Sequence, residues 1–168
     1  RSGDWLIGTG VAAATYPGMA MPGNSARITY GPAGRYTVQI GAADIGTGTW
    51  TALTQIAADA LDCGVAAVDL QIGDTDLPPA SVAGGSSGIT SWGSAIVAAA
   101  RQFRGDHGEN PAEGATTVAE APENSVADRF TVQSFGAHFV EAHVNADTGE
   151  IRIPRMLGVF SVGRAINP

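Results

Sequence analysis

The chain has 168 residues, with sixteen acidic side chains against nine basic ones and a formal charge of −7. All nine bases are Arg and none is Lys, which excludes a Walker-type phosphate loop, a Schiff-base lysine and a PLP enzyme built on this chain. A hydrophobic share of 44% with 23 glycines describes a turn-rich globular chain, not a collagen-like, coiled-coil or wholly disordered one.

In chain order, residues 5–15 form a small-residue apolar run that reads as a buried strand, and Pro17, Gly18, Pro22 and Gly23 break the chain after it. Ser25–Tyr30 and Arg35–Ile40 alternate apolar and polar residues around Gly31-Pro32-Ala33-Gly34, the pattern of a β-hairpin. The period then changes: Trp50, Leu53, Ile56, Ala57, Ala60 and Leu61 predict an amphipathic helix over about 49–62, stopped by Gly64. Val68–Ile72 is a short strand closed by Gly73-Asp74-Thr75 and Pro78-Pro79. A Gly/Ser tract at 84–88 leads into a second helix over about 90–103, apolar around most of its circumference. Residues 104–130 are acidic and dotted with Pro and Gly, and read as a solvated loop or disordered stretch. A last hairpin, roughly 130–145 and 149–161, turns at Asn145–Gly149. These elements are taken as an α/β (α+β) two-layer lobe with one mixed sheet, in the order β-β-α-β-α-β-β, with both helices on one face.

The usual catalytic constellations are missing. His138 and His143 stand five apart on one strand, so they face opposite sides and cannot share a metal. His107 lies in the acidic stretch, and Cys63 reads as a small hydrophobe near a helix end, without a second cysteine for a disulfide or a cluster. Asp74 and Asp76 read as turn residues, and no serine stands in a nucleophile elbow. No basic patch suits a nucleic acid, and no run approaches the roughly 18 apolar residues of a membrane span. The opening residues lack the apolar run of a signal peptide, and the compartment stays open between cytoplasm and periplasm.

Two glycine-rich tracts remain, each entering a helix: Asp44-Ile45-Gly46-Thr47-Gly48-Thr49, and Gly84 to Ser91. A helix N-terminus offers free backbone N–H groups to an anion, and glycines allow close approach. Thr47, Ser86 and Ser87 add hydroxyls. The dinucleotide fingerprint G-x-G-x-x-G is absent. Tight turns with helix caps and a phosphate-bearing ligand are both compatible with these tracts.

The stretch Ala43-Asp44-Ile45-Gly46-Thr47-Gly48-Thr49-Trp50 through Asp59 resembles the molybdopterin-binding subunit of the xanthine dehydrogenase/aldehyde oxidase family, the molybdenum hydroxylases. Gly73-Asp74-Thr75-Asp76-Leu77-Pro78-Pro79, the 84–88 tract, Ser134–Glu141, Asp147–Glu150 and Gly163–Pro168 continue the resemblance in family order. It implies cofactor contacts from Ile45, Gly46, Thr47 and Gly48 on one loop, and from Gly85, Ser86, Ser87 and Gly88 on another. Thr47 stands where many relatives carry Gln, and the Gly-Thr-Gly form looks more like bacterial aldehyde oxidoreductases, which implies the cytosine dinucleotide form of molybdopterin.

The implied activity is oxidation of an aldehyde or N-heterocycle with oxygen from water, with electrons passing to iron–sulfur and flavin partners. The family's glutamate base lies downstream of the segment matching Asn167-Pro168, so no catalytic or metal-ligating residue is expected here. The expectation is one lobe, residues 1–168, of a molybdopterin-binding domain in a larger subunit, inactive alone and without bound cofactor. Its partners would be the remaining lobes, iron–sulfur and flavin subunits or domains, and a small-molecule substrate, with no nucleic acid and no membrane. The alternatives are a non-catalytic module for a phosphate-bearing ligand and a xanthine- or purine-type dehydrogenase of the same family.

Overall fold

A computed structural model describes residues 1–123, 126 and 128–167. The architecture is mixed α+β, with two helices and two sheets. The chain forms two compact units, one from residues 1–18 and 130–165, the other from 19–129 with the last residues of the chain.

The second unit carries the helices. Strand β2 (Ser25–Tyr30) pairs antiparallel with β3 (Tyr36–Gln39), as the alternation and the intervening Gly/Pro turn predict. Strand β4 (Val68–Gln71) lies parallel to β3 on its other side. Between them runs helix α1 (Thr49–Leu61), and after β4 comes helix α2 (Gly88–His107). Strand β5 (Thr116–Glu120) completes the sheet, in the order β4-β3-β2-β5. Alternate residues of the strands point inward: Leu70, Val38, Ile28 and Thr117 stand in one register row, all buried. Leu53, Ala57, Ala58 and Leu61 of α1 and Trp92, Ala95, Ile96, Ala99 and Phe103 of α2 recur at three and four residues and close the same core. Each Leu or Ile so buried contributes about 1.5–3 kcal/mol. The opposite side of the sheet is polar, with Arg27, Gln39 and Gln71 hydrogen-bonded in a row across three strands.

The first unit contains no helix. Strand β1 (Trp5–Pro17) pairs antiparallel with β6 (Gln133–Asn145), which pairs antiparallel with β7 (Ile151–Ser161). Asn145 closes the β6–β7 turn by accepting the N–H groups of Asp147 and Thr148 on its side-chain oxygen, while Gly149 takes φ +73°. A register shift interrupts the pairing opposite Glu141–His143, where β7 carries Pro154. A residue without an N–H belongs on such an edge strand and at such an irregularity. His138 and His143 face opposite sides of the sheet, as their spacing predicts, for the β1–β6 register is regular throughout. His138 meets the edge of Phe160, and His143 lies 2.7 Å from Glu141.

Several expectations need correction. The described residues form seven strands in the order β-β-β-α-β-α-β-β-β, split between two sheets instead of the single sheet expected. The first strand exists but is not buried: Val11 is 68% exposed, because the three-stranded unit has no second layer of its own. Part of the acidic stretch forms regular elements. Helix α2 runs four residues past its expected end, and Thr116–Glu120 forms an edge strand on β2. Thr117 and Ala119 alternate inward there, a signal outweighed by the surrounding acids, which suit an exposed edge. Helix α1 ends within the expected 49–62, but it is stopped by Asp62 and not by Gly64: the left-handed φ of +56° at Asp62 lets its N–H and that of Cys63 bond back to the last turn. Trp50 lies on the outer face of α1, 47% exposed, and not in the core. Asn124, Ser125, Ala127 and Pro168 fall outside the described residues, and with them part of the acidic stretch and the end of the Asn167-Pro168 motif.

Candidate functional site

The two glycine tracts leave the sheet at one end. Strands β3 and β4 are adjacent and parallel, and each runs through a loop into a helix, β3 into α1 and β4 into α2. The roots of those loops are bonded to each other: Gly41 donates to Pro78 at 2.7 Å and Gly73 to Ala42 at 2.8 Å. The helices themselves run parallel. Gly93, early in α2, packs on Ile56 in the middle of α1, and Arg104, near the end of α2, reaches Asp62 at the end of α1 at 3.9 Å. Both N-termini therefore point to the carboxyl ends of the parallel strands, the place where open α/β sheets bind ligands.

The residues singled out in the sequence take different places in these loops. Gly48 is the N-cap of α1 and Ser87 the N-cap of α2, so Ile45–Gly48 and Gly85–Gly88 each directly precede or open a helix. Gly46 and Gly48 hold φ of +91° and +77°, with open space where a Cβ would stand. Backbone conformation, not crowding, requires glycine there. Gly85 and Ser86 are also left-handed, at φ +59° and +54°; for a serine this is strained. Gly88 is a glycine for another reason: a Cβ would lie 2.7 Å from the Trp92 ring. Of the three candidate hydroxyls, Thr47 pairs with the Thr49 hydroxyl at 3.1 Å and Ser87 donates to the Gly84 carbonyl at 2.8 Å. Ser86 is exposed.

The electrostatics of the two ends differ. Asp44 sits under the first loop and accepts the N–H groups of Gly46 at 2.8 Å, Thr47 at 3.0 Å and Trp50 at 3.3 Å. The Trp50 N–H, then those of Gly46, Thr47 and Thr49, hold its carboxyl below the usual aspartate range. A carboxylate of the chain itself thus occupies donors that the sequence offered to an external anion. The α2 end is built differently. Its N-cap makes no side-chain capping bond, its first turn carries no acid, and Arg104 and His107 stand in its last turn, as the helix dipole favours. Cys63 lies half-buried just past α1, its thiol pushed up first by burial and then by Asp62.

Sequence reasoning missed the groups that support these loops. The spacing Asp-x-Gly is an Asx-turn pattern and could have revealed the role of Asp44. Nothing local betrays Asn24, whose carbonyl oxygen accepts the N–H of Ser81, 57 positions away. Among the described residues, no group of three or more His, Cys, Asp or Glu side chains could hold a metal ion, and no helix is long and apolar enough to cross a membrane.

Comparison with known proteins gives the class. The family model of the molybdopterin cofactor-binding domain matches residues 1–109 and 106–168. The chain is 32% identical over 196 aligned positions to the aldehyde oxidoreductase molybdenum-binding subunit PaoC of Escherichia coli O157:H7. It is 30% identical to the probable hypoxanthine oxidase XdhD of Escherichia coli K12. All of the chain is covered in both, against 27% and 22% of those proteins, so it spans about a quarter of their length. The fold matches that of the aldehyde oxidoreductase from Desulfovibrio desulfuricans with a TM-score of 0.83 at 21% identity, covering 99% of this chain and 21% of that one. The class is thus that of the molybdopterin cofactor-binding domains. The chain belongs to the molybdopterin cofactor-binding domain family of molybdenum hydroxylases.

Proposed function

We propose that the chain is the part of a molybdenum hydroxylase subunit that holds the pyranopterin cofactor between Ile45–Gly48 and Gly85–Gly88, in an enzyme that oxidises aldehydes. The observation that carries this is the placement of both loops at the carboxyl ends of two bonded parallel strands, each opening one of two parallel helices. The donor set fits the group. The α2 end, with glycines, serines and no acid, suits a phosphate of the cofactor's dinucleotide form, which we take to be the cytosine one. The α1 end, already balanced by Asp44, suits a neutral hydrogen-bonding ring such as the pterin. When bound, the group supplies oxidation at an electron-poor C–H carbon with oxygen derived from water, and electrons leave to iron–sulfur and flavin partners. This chain's own residues bind and orient; the proton-abstracting base and the other lobes come from elsewhere in the subunit.

Gly85→Val and Gly46→Val, made in the assembled enzyme, should each lose most of the bound molybdenum and cofactor nucleotide while the subunit stays folded. Full retention in both variants would refute the two-loop site. The similarity to a probable hypoxanthine oxidase supports a second substrate reading, a purine-type heterocycle. Turnover of benzaldehyde against hypoxanthine by the wild-type enzyme decides between them.

A further inference from the structure

We propose that Asn24 is a positioning residue for the cofactor loop Gly85–Gly88, acting through two chains of hydrogen bonds that grip the loop from behind; this rests on the proposed function. Asn24 is 1% exposed, and its side-chain hydrogen bonds go to Met21, Pro22 and Ser81, outside both glycine tracts. Its carboxamide nitrogen donates to the Met21 carbonyl at 2.6 Å and to Pro22 at 3.4 Å, and its oxygen accepts from the Ser81 N–H at 2.6 Å.

From each end a path leads to the loop. On one side, the Met21 N–H donates to the Ser91 hydroxyl at 2.8 Å, and that hydroxyl donates to the Ser87 carbonyl at 2.7 Å. On the other, the Ser81 carbonyl accepts the Trp92 indole N–H at 3.1 Å, and the Trp92 ring fills the space beside Gly88. Ser87, Ser91 and Trp92, where the two paths meet the loop, are all at most 2% exposed. The backbone of Asn24 adds to the hold, its carbonyl accepting the Ala121 N–H beyond β5.

The physical need is plain. The loop contains two successive left-handed residues, one of them a serine, and such a conformation persists only where its surroundings determine it. Side-chain length and chemistry at position 24 matter, since the carboxamide accepts on one side and donates on the other. An alanine would leave the Ser81 N–H and the Met21 carbonyl without these bonds.

The test uses the assembled enzyme and two readouts, amide hydrogen exchange of residues 84–90 and molybdenum per subunit. Asn24→Ala should speed exchange across 84–90 by about tenfold or more and lower the metal content. Asn24→Asp, which keeps the acceptor for Ser81 and loses the donor to Met21, should fall between it and wild type. Ser91→Ala cuts the Met21 path alone and keeps the test alive if Asn24→Ala does not fold. Ile28→Val, a buried change in β2 remote from these bonds, controls for general loss of stability and should leave both readouts unchanged.

Exchange at 84–90 unchanged in the Asn24 and Ser91 variants, or raised equally by Ile28→Val, overturns the proposal. Faster exchange with wild-type metal content also overturns it, since the loop would then be held but not for the cofactor. Failure of the two-loop site itself is read separately, from retention of the metal in Gly85→Val.

Discussion

The two glycine loops occupy equivalent positions, each between a parallel strand and its helix, yet their helix ends are satisfied in opposite ways. At α1 a carboxylate from four residues before the N-cap turns inward and takes the exposed N–H groups for itself. At α2 the first turn has no side-chain cap and no acid, and the polar investment lies behind the loop, in Ser87, Ser91, Trp92 and Asn24. A glycine-rich entry to a helix is therefore not one kind of site. The difference lies in whether the chain brings its own anion.

The largest effects that would break this comparison come from the glycines. Gly88→Ala places a Cβ 2.7 Å from two atoms of the Trp92 ring, which cannot retreat without giving up its bond to Ser81. Overpacking of this kind costs about 1–3 kcal/mol, measurable by urea denaturation. Gly46→Val meets no atom, but forces a β-branched residue to φ +91° at a similar cost of about 1–3 kcal/mol. Gly84→Ala meets neither obstacle and should stay within about 0.5 kcal/mol. If Gly84→Ala costs as much as Gly88→Ala, packing does not distinguish the second loop.

Legibility in the sequence divides along a physical line. Sequence reading found α1 and the β2–β3 hairpin by their periodicity, α2 by its apolar run after the Gly/Ser tract, and the β6–β7 hairpin by its turn residues. It found both glycine loops, because glycine marks positive φ locally. It missed β5, whose five residues sit among acids that suggest solvent, and it took β1 as buried because an apolar strand reads alike with or without a covering layer. The support of the site was hidden for the same reason. The partners of Asn24 are backbone groups, and backbone groups leave no trace in residue identity.

Acid sharpens the comparison next. The Asp44 carboxyl is held below its ordinary value by backbone N–H groups, Trp50's foremost. A carboxyl depressed in the folded state contributes order that is present above its unfolded value, near 4, and lost as the pH falls through the folded value. Amide exchange at Gly46, Thr47 and Trp50, corrected for intrinsic rate, should therefore rise relative to the rest of α1 below about pH 4. Asp44→Ala should produce the same loosening at neutral pH. The amides of Ser87 to Thr90 should show no matching acid step, since no carboxylate caps them. A common step at both helix ends would mean general acid unfolding and would remove the contrast.

The smallest effect isolates strain from chemistry at Ser86. Its φ of +54° costs a residue with a Cβ roughly 1–2 kcal/mol, and glycine escapes that cost while losing about 0.5–1 kcal/mol through the freedom it adds to the unfolded chain. Ser86→Gly should accordingly match wild type or exceed it by up to about 1.5 kcal/mol, while Ser86→Ala, which keeps the strain, should lie near wild type. Both variants remove the hydroxyl. If that hydroxyl binds the cofactor, the two should lose metal equally despite their different stabilities. If the left-handed backbone alone shapes the loop, Ser86→Gly should keep its metal, because glycine adopts the same φ unaided. Denaturation midpoints together with molybdenum content therefore separate the two roles. A glycine variant less stable than the alanine variant by the full ~0.5–1 kcal/mol of added chain freedom would show that Ser86 carries no strain, leaving the two loops to differ only in their carboxylate.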